Sequence, residues 1–153
     1  MTELGTTGDG PLALRVELHA TAPPAGDVVF DNRAANAIRI WRPGSSWGDE
    51  ALSFELTTGV SQLSVRRRPQ RYTRNVATPV EVPPGGSHRR SFDLGDGTWQ
   101  IAGAEAAPWH AATALVAVYE VRPSRAASDN AVWIGRVRSD PVVVGGGGPG
   151  EGA

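Results

Sequence analysis

The sequence predicts an all-β domain built as an antiparallel β-sandwich, and three observations lead there. Apolar residues recur with period two along several short segments. Turn residues separate nearly every pair of these segments, at a spacing of roughly 8–12 residues. No segment carries a capped apolar stripe of helical period.

The clearest strand is 12–19 (LALRVELH), where the leucines and Val16 take one face and Arg15, Glu17 and His19 the other. The segment 27–32 (DVVFDN) is a second strand, and 36–42 (NAIRIWR) a third, with Ile38 and Ile40 inward and Arg39 and Trp41 outward. Residues 51–57 (ALSFELT) place Leu52, Phe54 and Leu56 on one face, and 60–67 does the same with Leu63 and Val65 before running into arginines. Short strands are expected over 87–94 and 99–101. The longest apolar run, 111–121 (AATALVAVYEV), fits a strand covered on both faces, because its Val, Thr and Tyr content favours a strand over a buried helix. Residues 131–138 and 141–144 close the fold. Turns are expected at 23–26, 43–44, 58–59, 83–86, 95–97 and 128–130, all rich in Pro, Gly, Asp or Asn.

The domain organisation is expected to be a flexible lead over 1–11, one folded unit over 12–144 and a flexible tail over 145–153 (GGGGPGEGA). A chain of 153 residues with 40% hydrophobic content suits a single core. The net charge of -1 gives no bulk attraction to nucleic acid or to an anionic membrane. With no cysteine, disulfides, thiolate zinc sites and a cysteine nucleophile are excluded together. No basic start followed by an apolar run, and no stretch near the roughly 18–20 apolar residues that span a bilayer, is present, so the expected location is cytoplasmic. All 15 basic residues are arginine, which together with the Ala, Gly, Pro and Val content points to a GC-rich, bacterial coding sequence.

Three segments together carry a resemblance. Val29-Phe30-Asp31-Asn32-Arg33 followed by Ile38-Arg39-Ile40-Trp41 looks like a B–C strand pair. Val82-Pro83-Pro84-Gly85-Gly86-Ser87 leads into Ser91-Phe92-Asp93-Leu94 as a proline-glycine entry to a middle strand. Ala117-Val118-Tyr119 and Val132 to Ser139 look like a last hairpin. Over about 12–144 the chain therefore resembles bacterial immunoglobulin-like domains, which implies an immunoglobulin-like sandwich without the cysteine pair of antibody-type domains. Bacterial intracellular proteinase inhibitors that use a similar sandwich are a further relative in kind. The resemblance concerns the fold and assigns no functional residue.

The strongest charge feature is the arginine-rich stretch Arg66, Arg67, Arg68, Arg71 and Arg74, joined by Arg89 and Arg90. From 66 to 90 the chain holds seven arginines against one acid, Glu81. Arginine grips oxyanions bidentately, so an acidic protein surface is the expected partner, with nucleic acid stacking on Tyr72 as a competitor. The structural alternative is a charged sheet edge that resists aggregation, since Pro69 makes the run a loop or an edge strand. A free edge able to take a partner strand is expected over 71–82, which is rich in β-branched residues and flanked by prolines. Trp47 and Trp109 lie in loop-like sequence and are second-choice contacts, either as a protein hot spot or as a carbohydrate platform. The histidines His19, His88 and His110 are too far apart in sequence to read as a metal site. Asp31, Asp49, Glu50, Asp93 and Asp96 sit in turn-like sequence and form no defined acid–base pair. No catalytic, cofactor or metal constellation emerges. The expected function is a non-enzymatic protein-binding or assembly module, with a homo-oligomer in the same class. A proteinase inhibitor and a carbohydrate-binding module are the alternatives.

Overall fold

The computed structural model describes residues 10–59, 61–72, 75–102 and 109–144. Chain order runs β1 (Leu12–Thr21), β2 (Pro24–Asn32), β3 (Ile38–Trp41), α1 (Ser46–Ala51), β4 (Leu52–Thr58), β5 (Ser61–Arg67), β6 (Pro79–Val82), β7 (Ser87–Asp93), β8 (Trp99–Ile101), β9 (Ala112–Val121), α2 (Arg125–Asn130), β10 (Gly135–Arg138) and β11 (Val142–Val143). Every described pairing is antiparallel. One sheet has the order β1-β2-β7 and a larger one the order β10-β9-β4-β5-β8, with β11 also pairing β9. β3 and β6 form a separate two-stranded ribbon.

Period-two alternation dictates how the sheets meet. Leu12, Leu14 and Val16 of β1, with Val28 and Phe30 of β2, turn inward; so do Leu52, Phe54 and Leu56 of β4 and Leu115, Ala117 and Tyr119 of β9. All belong to one buried cluster. Two ring pairs join the sheets across it: Phe30 meets Tyr119 edge-on at 5.1 Å, and Phe54 meets Phe92 of β7 at 4.7 Å. Such pairs contribute about 0.5–1.5 kcal/mol beyond the area they bury. β9 is covered on both faces, since Val116 and Val118 on its outer side are also buried, as its β-branched composition requires.

Several expectations are corrected. Trp41 is buried, not outward, at 4% exposure. Its ring lies 6.1 Å from Trp47 of α1, and its backbone N–H donates to the Tyr119 hydroxyl at 2.9 Å. The outer face of β3 is therefore covered at Trp41 while Arg39, two residues earlier on that face, stays exposed, so alternation there does not separate core from solvent. The segment 36–42 also pairs with β6, while β4 takes the place beside β9. Two helices stand where none was expected. Ser45 caps α1 by accepting from the Gly48 N–H, and Ser124 caps α2 by accepting from the Ala127 N–H. The expected turn at 128–130 is the last turn of α2, so the strand expected over 131–138 shortens to β10. The turn expected at 23–26 is confined to its start, because β2 already begins at Pro24. The lead and tail fall outside the described residues, except Gly10 and Pro11, whose Pro11 carbonyl accepts from the Arg33 N–H at 2.7 Å. Val60, too, lies outside them.

Candidate functional site

Alternation divides the arginine-rich stretch in two. In β5, Leu63, Val65 and Arg67 share the inner face, and Ser64 and Arg66 the outer. In β7, His88, Arg90 and Phe92 point inward, and Arg89 and Ser91 outward. Arg67 and Arg90 thus enter the molecule from opposite sheets and meet at α1.

Arg90 is buried at 8% exposure. Its Nη1 donates to the Gly48 carbonyl and its Nη2 to Asp49 Oδ1, both at 3.0 Å. The Asp49 side chain, 4% exposed, also accepts from the Gly44 N–H at 3.1 Å and from the Tyr72 hydroxyl at 2.9 Å. Arg67 Nη2 stands 3.7 Å from Asp49 Oδ2, and the Arg67 guanidinium lies 5.4 Å from the centre of the Trp99 ring. Burial pulls the Arg90 guanidinium below the usual arginine range, against the opposing charge of Asp49. Burial, then the hydrogen bond to the Asp49 carboxylate, pushes the Tyr72 phenol up to about 12. Gly48 makes the arrangement fit, because a Cβ there would lie 1.9 Å from the Arg42 carbonyl oxygen.

The outward residues behave differently. Arg89 donates from Nη1 to Glu17 at 2.6 Å and to Asp27 at 3.3 Å. Arg15 holds Asp31 at 2.7 Å and Glu17 at 2.7 Å on the same face. The outer face of the smaller sheet is therefore a ladder of matched charges. Its hydrogen bonds hold three carboxylates below their usual range: Asp31 through Arg15, Glu17 through Arg89, and Asp27 chiefly through Ser91. Arg66, Arg68 and Arg71 are exposed and form no ion pair with any described residue. Arg66 lines a concavity of about 440 Å³ on the outer face of the larger sheet, with Trp47, Glu50, Glu55 and Glu120. Within it Glu55 is taken by Arg136 and Arg138, and Glu120 by Arg122 and Arg136. Arg68 and Tyr72 line a second cleft, of about 310 Å³, beside α1.

No family model, curated protein or solved structure matches the chain. The geometry alone therefore carries the functional argument.

Of the contact residues expected from the sequence, Arg66, Arg68 and Arg71 lie at the surface along one stretch of chain, and Tyr72 is half-buried. Arg74 lies outside the described residues. Arg89 is exposed but engaged with carboxylates, and Arg90 is inside the protein holding Asp49, out of a partner's reach. Trp47, Trp109 and Trp133 are partly buried against the core, and Trp41 and Trp99 are buried in it. The charged cluster around Asp49 was missed in the sequence, where Asp49 reads as a turn residue. A signal was present: Arg90 is in phase with Phe92, and Arg67 with Leu63 and Val65.

The other polar candidates have structural work. Asp93 Oδ1 accepts from the Gly95 N–H, and Asp96 Oδ1 from the Thr98 N–H and hydroxyl. His19 lies 3.5 Å from Asp27, and His88 sits 6.2 Å from the Phe30 ring. The His110 side chain lies outside what is described. Among the described residues no group of three or more His, Asp or Glu could hold a metal ion, and no helix is long and apolar enough to cross a membrane.

Proposed function

We propose that this chain is a non-enzymatic, immunoglobulin-like module that binds an acidic segment of another protein along Arg66, Arg68 and Arg71. One contrast carries the reading. Arginines elsewhere on the strand faces, such as Arg15, Arg89 and Arg136, are matched by carboxylates, whereas these three are exposed with no ion pair among the described residues. Unpaired guanidiniums on one short stretch keep their bidentate donors free for an oxyanion supplied from outside. Carboxylates are the favoured match over nucleic acid, because the chain as a whole has a net charge of -1 and no long-range field to steer a polyanion.

The immunoglobulin-like part rests on strand order. The orders β1-β2-β7 and β10-β9-β4-β5 follow those of strands A-B-E and G-F-C-C′ in an immunoglobulin sandwich. The β3–β6 ribbon and the addition of β8 beside β5 depart from that pattern.

The test is affinity capture from a lysate of the source cells, comparing the wild type with an Arg66→Glu/Arg68→Glu/Arg71→Glu variant. Arg125→Glu, at an exposed arginine on α2, is the control. A stoichiometric protein held by the wild type and the control but lost with the triple variant supports the reading. A protein held equally by all three refutes it, as does nuclease-sensitive nucleic acid alone. A proteinase panel separates this reading from an inhibitor.

A further inference from the structure

We infer that the cleft between α1 and residues 67–72 is a receptor for a single carboxylate, with Arg67 and Arg68 as its cationic wall. The inference rests on the proposed binding of an acidic partner and names where one of that partner's carboxylates anchors.

The cleft holds about 310 Å³, and Ser46, Asp49, Glu50, Arg67, Arg68 and Tyr72 are in its wall. Its charges do not balance. Asp49 is already held by Arg90 at 3.0 Å and accepts from Tyr72 and Gly44 as well. Arg67 has only a loose ion pair, its nearest carboxylate oxygen 3.7 Å away. That separation exceeds a hydrogen bond. The Arg67 Nε is buried and has no hydrogen-bond acceptor. The Arg67 side chain, 22% exposed, lines the cleft and makes no hydrogen bond to a described residue, so its terminal N–H groups are the donors that an acceptor from outside can meet. Counting Arg90 behind it, the wall holds three guanidiniums against Asp49 and Glu50, which leaves one positive charge in excess.

That excess matches a monoanion. A phosphate dianion would bring a second negative charge against Asp49 and Glu50 with no cation to meet it, whereas a carboxylate offers two acceptor oxygens at a charge of one. The Trp99 ring under Arg67 holds the guanidinium plane in place. Arg68 lines the cleft and belongs to the proposed docking stretch, so an acidic segment held on that stretch can place a carboxylate at this opening.

The test observes the Arg67 Nε–H signal by NMR in ¹⁵N-labelled full-length protein. It is titrated with glutarate, with acetyl-hexaglutamyl-amide and with sodium chloride at matched ionic strength. The expected result is a saturable shift with a carboxylate and none with chloride. Arg68→Ala, an exposed change that spares the fold, weakens it by about tenfold, the usual worth of a lost charge-assisted hydrogen bond. Tighter binding of the peptide than of glutarate assigns the carboxylate to a protein partner; equal binding assigns it to a free small acid. An Arg67 signal that stays still while Arg66 and Arg71 signals move overturns this cleft and leaves the docking surface standing. A response to chloride equal to that of glutarate overturns it as well, and no movement at any arginine overturns both.

Discussion

Replacing Asp49 by alanine is the sharpest probe of the interior. The carboxylate accepts from Arg90 at 3.0 Å, Tyr72 at 2.9 Å and the Gly44 N–H at 3.1 Å. Without it Arg90, 8% exposed, keeps only the Gly48 carbonyl, and Arg67 loses its nearest anion. Removing one partner of a buried pair costs about 3–5 kcal/mol, because the remaining charge stays desolvated. At roughly 2–4 °C per kcal/mol for a chain of this size, the melting temperature falls by about 6–20 °C. Urea unfolding followed by tryptophan fluorescence measures the loss. Adding Arg90→Met to Asp49→Ala removes the stranded charge, so the double variant recovers about 2 kcal/mol or more of it. If Asp49→Ala costs less than about 1 kcal/mol, or the two changes simply add, the cluster is hydrated and the reasoning is wrong.

Three further outcomes follow from the same geometry. Both tyrosines, Tyr72 and Tyr119, are pushed up to about 12, chiefly by burial, so ultraviolet titration of the native protein shows little tyrosinate at pH 10 to 11 while the urea-unfolded chain titrates near its ordinary 10. His88 is held below its ordinary 6.5, by burial and then by the charge of Arg90. The unfolded chain thus binds the extra proton first, so stability is full above that pH and falls as pH drops below it. His88→Gln flattens this limb in a pH series of urea midpoints, leaving the later loss near pH 4 that comes from Asp31, Glu17 and Asp27, whose folded values are lowered. Gly48→Ala forces a Cβ onto the Arg42 carbonyl and displaces α1, which lowers stability by about 2 kcal/mol or more in thermal unfolding.

How much of this the sequence showed depends on how many faces a segment presents. β1 alternates Leu and Val with Arg and Glu against one core and one solvent face, so period two exposed it directly. β9 was legible through composition, because both its faces are buried and only its Val, Thr and Tyr content distinguishes it from a helix. Trp41 escapes the alternation because Trp47 of α1 packs against it and covers the outer face of β3 at that end only, leaving Arg39 on the same face exposed. The helices α1 and α2 have six residues each, less than two turns, too short for a stripe to repeat. Counted along the chain, the arginine stretch looks like one surface. Phase separates Arg67 and Arg90 from Arg66 and Arg89. That Asp49 meets both inward arginines depends on α1 lying between two sheets, which no local pattern carries.

The division of the arginines, and the docking surface argued from it, are tested together by phenylglyoxal labelling read by mass spectrometry, with the protein free and with its captured partner bound. Fast labelling is expected at Arg66, Arg68 and Arg71 in the free protein, with protection of Arg90, and loss of labelling at the first three, but not at Arg125, once the partner is bound. Arg90 reacting as fast as Arg66 in the folded protein, or unchanged labelling of Arg66, Arg68 and Arg71 in the complex, would contradict the division or the docking surface.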